Sequence, residues 1–499
     1  MSTEQTPDSG HEHDPREHDP WALLDDAETD EELSLLERAE ADIADSVIAA
    51  ESEAAAERVY QALLTRVGEA NPRPRIEPVR RFAELAGSPH TQFPVIHVAG
   101  TNGKTSTCRA IESLLRAHGL RTGLFSSPHL VSFTERFQLE GEAVDGTVLE
   151  NAWDDLQPAL EIVDQELARD GHGPITFFEA LAVLAFAVFA DAPVDVAVIE
   201  VGLGGEWDAT NIVNADVAVF TSIDLDHTAL LGDNTADIAR TKSRIIKQNS
   251  AVVSAKQDAA AAAEITAEAQ RHGATAKFAG QDFRLDEQRL AVGGQLVTVT
   301  GLSGHQYAAT PLPLFGAHQA ENATVAVAAV EAFFGGEREI PAEVYEAGLA
   351  QLTSPGRMQL LSTEPTVYVD AAHNPHGGRA LAETIEKSFD FHEVALVFGA
   401  LNDKDAAGTL EALLPQVTTV TLVPVDSPRS LTAEDIETLG ARLSEQGVSV
   451  TVAQSLAAGL DAAREWAEHT SGRGVVVAGS VVLAGEAIAH AKAEGYGTA

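Results

Sequence analysis

From Val95 onward, short apolar runs alternate with longer stretches whose apolar positions recur at helical spacing. Residues 194–201 and 215–221 are near-continuous aliphatic runs, the pattern of strands buried on both faces of a parallel sheet. Each ends in polar residues and a loop, where open α/β sheets place their ligands. Residues 93–98 and 122–125 are shorter β-prone runs, and 106–116 have the spacing of a helix. Residues 278–310 are more irregular and predict short antiparallel strands. A second series starts near Ser354, with strands predicted at 366–370, 394–398, 418–422 and 474–478 and helices between them. The pattern predicts an α/β chain with two sheets, the second smaller, divided at 351–356. Upstream, the Ala/Glu/Leu-rich segment 30–70 predicts helix.

Composition narrows the function. The chain has 499 residues, 44% hydrophobic and 22% charged, as in globular enzymes. Its formal charge of −43 excludes a nucleic-acid partner, which needs a basic face. The same charge opposes anionic substrates, so a site for them must gather Lys, Arg and metal ions locally. Residues 1–45, rich in Asp, Glu, His and Ala, predict a disordered acidic tail. The histidines within 10–20 fit that tail better than a metal site. The single cysteine, Cys108, excludes an intramolecular disulfide and suits a cytoplasmic location; its helical position predicts a core residue. The apolar run 180–190 is too short to span a membrane, and the acidic N-terminus does not read as a signal peptide, so no membrane partner is expected.

The chemistry concentrates after the first strand. Val98-Ala99-Gly100-Thr101-Asn102-Gly103-Lys104-Thr105-Ser106 reads as a phosphate cradle between strand and helix. Glycines admit phosphate oxygens to the backbone, the helix start offers free N–H groups, Lys104 supplies charge, and Thr105 or Ser106 supplies a hydroxyl for Mg²⁺. The common P-loop pattern requires glycine at position 98, where this chain has valine. Glu200 ends a predicted buried strand, a costly place for a carboxylate unless it is paired or bound to metal. Ser127 and the Asp226-His227 pair end other strands, and 239–247 form a basic island around Lys242. In the second series, Arg357 is placed to reach a phosphate and Asp370 to accept from ribose hydroxyls.

Together these segments resemble the folylpolyglutamate synthase/dihydrofolate synthase family of the Mur ligase superfamily, over about residues 58–495. The strings that carry the resemblance are 97–106, 126–130 with 134–136, 200–211, 226–228, 370–375, 398–405 and 478–480. The family implies an α/β fold: a P-loop, Mur-ligase-type central ATPase domain with a parallel-rich sheet, plus a smaller C-terminal Rossmann-like domain. On this chain that places an ATPase and folate-binding domain at 46–352 and a glutamate ligase domain at 353–499. The implied activity is ATP-dependent addition of L-glutamate to dihydropteroate or to reduced folates through an acyl phosphate. ATP, two Mg²⁺ and an accompanying K⁺ are the implied cofactors, with a monomer acting on small molecules only.

By the same resemblance, Gly100, Thr101, Asn102, Gly103, Lys104, Thr105, Ser106, Asn322, Arg357 and Asp370 hold ATP. Ser127, Glu200 and His227 hold Mg²⁺. Lys104, Lys242 and His373 are catalytic, with Lys242 carbamylated to N6-carboxylysine. Arg75, Ile76, Glu77, Pro78, Thr176, Phe177, Phe178, Glu179, Trp207, Asp208 and Ala209 bind the pteroate or folate. Two departures stand out: many members have arginine and leucine at Glu206-Trp207, and Lys-Ala-Gly where this chain has Lys242-Ser243-Arg244. Two alternatives compete. A muramyl-peptide ligase would need a further N-terminal domain, yet only about 90 residues precede the cradle. A P-loop ATPase that is not a ligase would need no Arg357/Asp370 pair.

Overall fold

The computed structural model describes residues 46–68 and 73–496. The predicted tail 1–45 and the first part of the predicted helix 30–70 lie outside the described residues. Residues 46–64 are helical, and the helix stops short of the expected end.

The first sheet has eight strands: β1 (Val95–Ala99), β2 (Thr122–Phe125), β3 (Phe137–Leu139), β4 (Glu142–Ala143), β5 (Val196–Glu200), β6 (Val217–Phe220), β7 (Ala251–Ser254) and β8 (Ala276–Phe278). Their order is β4-β3-β2-β5-β1-β6-β7-β8. The six from β2 to β8 run parallel, and β3 and β4 add an antiparallel edge. Along β5, Val196 and Val198 pack into one core with Ile111 and Val327, while Ala197 and Ile199 face another with Phe186 and Phe189. Alternate side chains thus serve opposite apolar layers, which is why the run shows no polar alternation.

Three antiparallel strands follow, β9 (Arg284–Ala291), β10 (Gly294–Thr300) and β11 (Gln306–Leu312). The irregular stretch is therefore a sheet of its own, although Phe278 closes β8 of the first one. The last sheet contains β12 (Gln359–Thr363), β13 (Thr366–Val369), β14 (Glu393–Phe398), β15 (Thr419–Leu422), β16 (Ser449–Val452) and β17 (Arg473–Ala478), in the order β12-β13-β17-β14-β15-β16. All are parallel except the β12–β13 hairpin. Crossover helices cover both faces, giving the smaller Rossmann-like layer arrangement.

Register then sets the site. Val98 on β1 lies opposite Glu200 on β5, so the chain leaves for the cradle beside that carboxylate. Among the described residues no helix is long and apolar enough to cross a membrane.

Candidate active site

The cradle turns into a helix at Lys104, two residues earlier than the apolar spacing predicts, and the helix runs to Ala117. Two glycines are required by geometry. A Cβ on Gly100 would fall 1.8 Å from Thr221 Oγ1, and one on Gly103, whose φ is +84°, would fall 2.4 Å from Asn322 Oδ1. Asn322 is thereby held against the loop. Thr105 and Ser106 point to different neighbours. Thr105 Oγ1 donates to the Glu200 carboxylate at 3.0 Å, whereas Ser106 is buried and pairs with Ser354 Oγ at 2.9 Å. The N–H of Ser127 also donates to Glu200, at 3.2 Å. Burial pushes the Glu200 carboxyl up, against the pull of Lys104 and these hydrogen bonds.

A cavity of about 490 Å³ opens in front of the cradle. Gly100 to Thr105, Ser127, Glu200, His227, Lys242, Arg357 and His373 all line it. Lys104 Nζ donates to Thr101 O at 3.1 Å, and Lys242 Nζ to Gly100 O at 2.8 Å. Burial, aided by Lys104, brings the Lys242 ammonium down to about 7. Lys404, after β14, reaches across to Asp226 Oδ1 at 2.9 Å and His227 Nε2 at 3.2 Å. Burial would raise the Asp226 carboxyl, but Lys404 and His227 hold it below the usual carboxylate range. Burial takes His227 and His373 down to about 4, so both are neutral imidazoles at pH 7. His373 Nε2 lies 3.9 Å from Asp226 Oδ2.

Asp370 is placed differently. It does not line the cavity; its oxygens accept from the N–H groups of Met358 and Ala372 at 2.9 and 2.8 Å. It therefore braces the turn that presents Arg357. The cradle is also tied to the second half by Asn102, whose amide meets Asn374 and His376.

The other end of the cavity is aromatic and cationic. Phe178, Trp207, Ala209 and Thr176 line it, with Arg75 in a two-pronged pair with Glu179 at 2.7 Å. Thr176 and Glu179 cap the following helix reciprocally, which fixes the carboxylate for Arg75. Asp208 lines the wall, but its oxygens are taken by Leu203 N, Thr210 N and the Thr210 hydroxyl. Of the remaining candidates, Phe177 packs into the core, and Ile76, Glu77 and Pro78 open a helix outside the lining, with Glu77 toward solvent. The two departures from the family pattern meet: Arg244 lies 3.9 Å from Glu206, and neither lines the cavity.

Tyr60, Arg73, Lys404 and Arg429 also line the cavity, although the sequence pattern assigns them no role. Lys404 and Arg429 had a usable signal, since both are cations just beyond a predicted strand in an acidic chain. Tyr60 had none, because it joins the cavity only through tertiary packing on Phe133 and His129.

Residues 98–330 match the Mur ligase middle domain, and 356–481 the Mur ligase glutamate ligase domain. The dihydrofolate synthase/folylpolyglutamate synthase of Mycobacterium tuberculosis is 39% identical over 444 residues, covering 83% of this chain and 90% of the relative. The enzyme of that name from Escherichia coli is 36% identical, over 68% of this chain and 75% of its own. Among solved structures, Mycobacterium tuberculosis folylpolyglutamate synthase complexed with ADP superposes with a TM-score of 0.83 at 38% identity, covering 88% of this chain and 99% of that one. Escherichia coli FolC in complex with DHPP and ADP gives 0.76 at 32% identity, with 88% and 98% covered.

Proposed function

The chain belongs to the folylpolyglutamate synthase/dihydrofolate synthase family of Mur ligases, and from that premise we propose how its residues divide the reaction. It is an ATP-dependent ligase that joins L-glutamate to a pteroate or folate carboxylate. The γ-phosphoryl group of ATP passes to the carboxylate, and the glutamate amine displaces phosphate to leave an amide, ADP and phosphate. The observation that carries the site assignment is that one cavity gathers Lys104 from the first sheet and Arg357 and His373 from the second half.

Gly100 to Thr105 bind the phosphates through backbone N–H groups and the Lys104 ammonium. Asn322, held at Gly103, faces the nucleotide from the first half, and Arg357 from the second, on a turn fixed by Asp370. We read 46–352 as the ATPase and folate-binding domain and 353–499 as the glutamate ligase domain, in keeping with the two family matches. The folate rings lie on Phe178 and Trp207, because flat heterocycles stack on aromatic faces.

The donor set fits Mg²⁺. Glu200 is buried, and among the described residues it accepts from Thr105 and Ser127 and has no side-chain cation within salt-bridge distance. Neutral His227 and the Ser127 hydroxyl supply further donors. Among the described residues no three His, Cys, Asp or Glu gather as a group, so Glu200, His227 and the Ser127 hydroxyl would hold the ion together with the nucleotide. Bound there, the ion would stabilise charge on the transferring phosphoryl group. Buried Lys242, near neutrality at pH 7, is suited to carbamylation, since only a neutral amine adds CO₂. K⁺ receives no residue in this scheme.

The test is Mg²⁺-dependent ATP hydrolysis with glutamate, adding dihydropteroate, a reduced folate or a muramyl nucleotide in turn. Either pterin should stimulate phosphate release and yield a glutamyl product. Stimulation by the muramyl nucleotide alone, or turnover indifferent to all three, would overturn the reading.

A further inference from the structure

Trp207 lines the folate end of the cavity and is 41% exposed. Among the described residues its indole has no ring stack or hydrogen bond, so the loop after β5 that carries it decides where the ring lies. That loop is fastened at Glu206. Glu206 N donates to Thr241 O at 3.0 Å. Asn211 Nδ2 donates to Glu206 O at 3.2 Å and to Arg244 O at 3.4 Å. Both backbone groups of Glu206 are thus tied, directly or through Asn211, to the end of the helix Thr235–Ser243.

The side chains repeat the connection. Arg244 follows that helix, and its Nη1 donates to both oxygens of Glu268, at 2.9 and 3.0 Å. Glu268 is 3% exposed and also meets Arg271 and His272, so Arg244 is anchored in a buried cluster. Arg244 Nε is buried without a hydrogen bond among the described residues, and Glu206 Oε1 lies 3.9 Å from it. A buried N–H without an acceptor is costly, and a carboxylate at that distance offsets the cost by charge. An approach of about 1 Å would make the contact a hydrogen bond. A solvated surface pair would leave both partners free to turn. Here one partner is pinned at Glu268 and the other at both of its backbone groups.

We propose that Arg244 is a positioning residue for the folate end: through Glu206 it holds the loop that presents Trp207 to the flat ring of the substrate. Neither Glu206 nor Arg244 lines the cavity, so neither meets ATP or the reacting carboxyl there. The pair therefore acts on folate affinity and leaves phosphoryl transfer alone. The inference rests on the pteroate and folate reading above.

The experiment measures kcat and KM for the pterin that the wild type turns over, dihydropteroate or a reduced folate, with ATP and glutamate saturating. The variants are Glu206→Gln, Arg244→Gln, the two combined, Arg244→Lys and Glu206→Lys. Each glutamine variant should raise the pterin KM about 3- to 10-fold, between the loss of an exposed ion pair and that of a buried charged contact. The double variant should match the worse single one, because the two residues act as one contact. Arg244→Lys should recover part of the affinity, and Glu206→Lys, which sets two cations against each other, should lose most. The kcat and the KM for ATP should stay within about twofold, the signature of lost substrate binding. Trp207 emission, taken as the difference from the matching Trp207→Phe protein, should become more open to acrylamide quenching in Arg244→Gln. An unchanged pterin KM in Glu206→Gln, additive losses in the double variant or an unchanged Trp207 signal overturns the assignment. So does a fall in kcat at constant KM, which would place the effect at Lys242. A wild-type enzyme that turns over neither pterin overturns the folate reading instead.

Discussion

Asn102 in the phosphate cradle and Asn374 in the second half exchange two amide hydrogen bonds, of 3.2 and 3.1 Å. Asn374 also caps the helix Pro375–Ser388, accepting from Gly377 N at 2.8 Å. With the Asn102–His376 contact beside it, this pair ties the cradle directly to the segment bearing His373. Asn374→Asp keeps the capping acceptor but replaces the donor to Asn102 with an oxygen. Aspartate caps as well as asparagine, so the helix Pro375–Ser388 should keep its cap, and circular dichroism should show an unchanged helix content. The glutamate-dependent kcat should fall at least about tenfold, because two acceptors would now oppose each other across the seam. Wild-type turnover in this variant would show that the pair is dispensable.

Lys104→Ala and Glu200→Gln address the phosphoryl site itself. Each keeps the fold, since Lys104 is part-exposed and glutamine preserves the volume of the buried Glu200. Removing a charge that acts on a transferring phosphoryl group costs about 10²–10³ in kcat. Single-turnover phosphate release, with circular dichroism as the folding control, checks both. Retention of more than about a tenth of wild-type rate in both would refute the assigned site.

Strand ends and their chemistry were legible in the sequence because buried parallel strands are written as unbroken aliphatic runs. Val196 to Glu200 is the clear case: the run predicts the strand, and the carboxylate at its end predicts the site. Other features depended on contacts that only the fold creates. Nothing local distinguishes Thr105 from Ser106, yet one reaches Glu200 and the other Ser354, 248 residues away in sequence. Asp370 reads as a ligand at a strand end, but its backbone partners are visible only once Met358 is folded beside it. Edge strands such as β4, with two exposed residues, carry no apolar signal at all.

Lys242 gives a prediction about pH and carbon dioxide. Its amine comes down to about 7 through burial and Lys104, so the reactive neutral form is lost as pH falls below that value. Activity in degassed, bicarbonate-free buffer should decline and recover on adding bicarbonate, more sharply at pH 6.5 than at 8. The departures at Ser243 and Arg244 do not obstruct this. Ser243 donates to Arg240 O and Arg244 to Glu268, and neither lines the cavity. Native mass spectrometry should find the mass of one CO₂, absent in Lys242→Arg. Indifference to bicarbonate at both pH values, with no added mass, would remove carbamylation from the scheme.

Acid stability should carry a contribution from His97. Its ring is fully buried on β1, with Nε2 against Thr210 Oγ1 at 2.8 Å and Nδ1 without a partner among the described residues. Burial lowers it to about 3, whereas in the unfolded chain a histidine titrates near 6.5. The sign follows from proton counts. Between about pH 6.5 and 3 the unfolded chain binds a proton that the folded chain refuses, so stability drops as pH falls through that window. Glu200, Asp208 and Asp370 shift upward on burial, bind protons preferentially in the fold and oppose the loss. The wild-type slope alone is therefore a sum, and a single-site comparison is needed. His97→Gln keeps an N–H donor for Thr210 but has no titrating group. Between pH 7 and pH 5, urea unfolding should show a loss of stability about 2 kcal/mol smaller in the variant than in wild type, the work of about 1.5 pH units on one proton. Equal losses in both proteins would mean that His97 takes its proton inside the fold, and that its imidazole is not held neutral by burial.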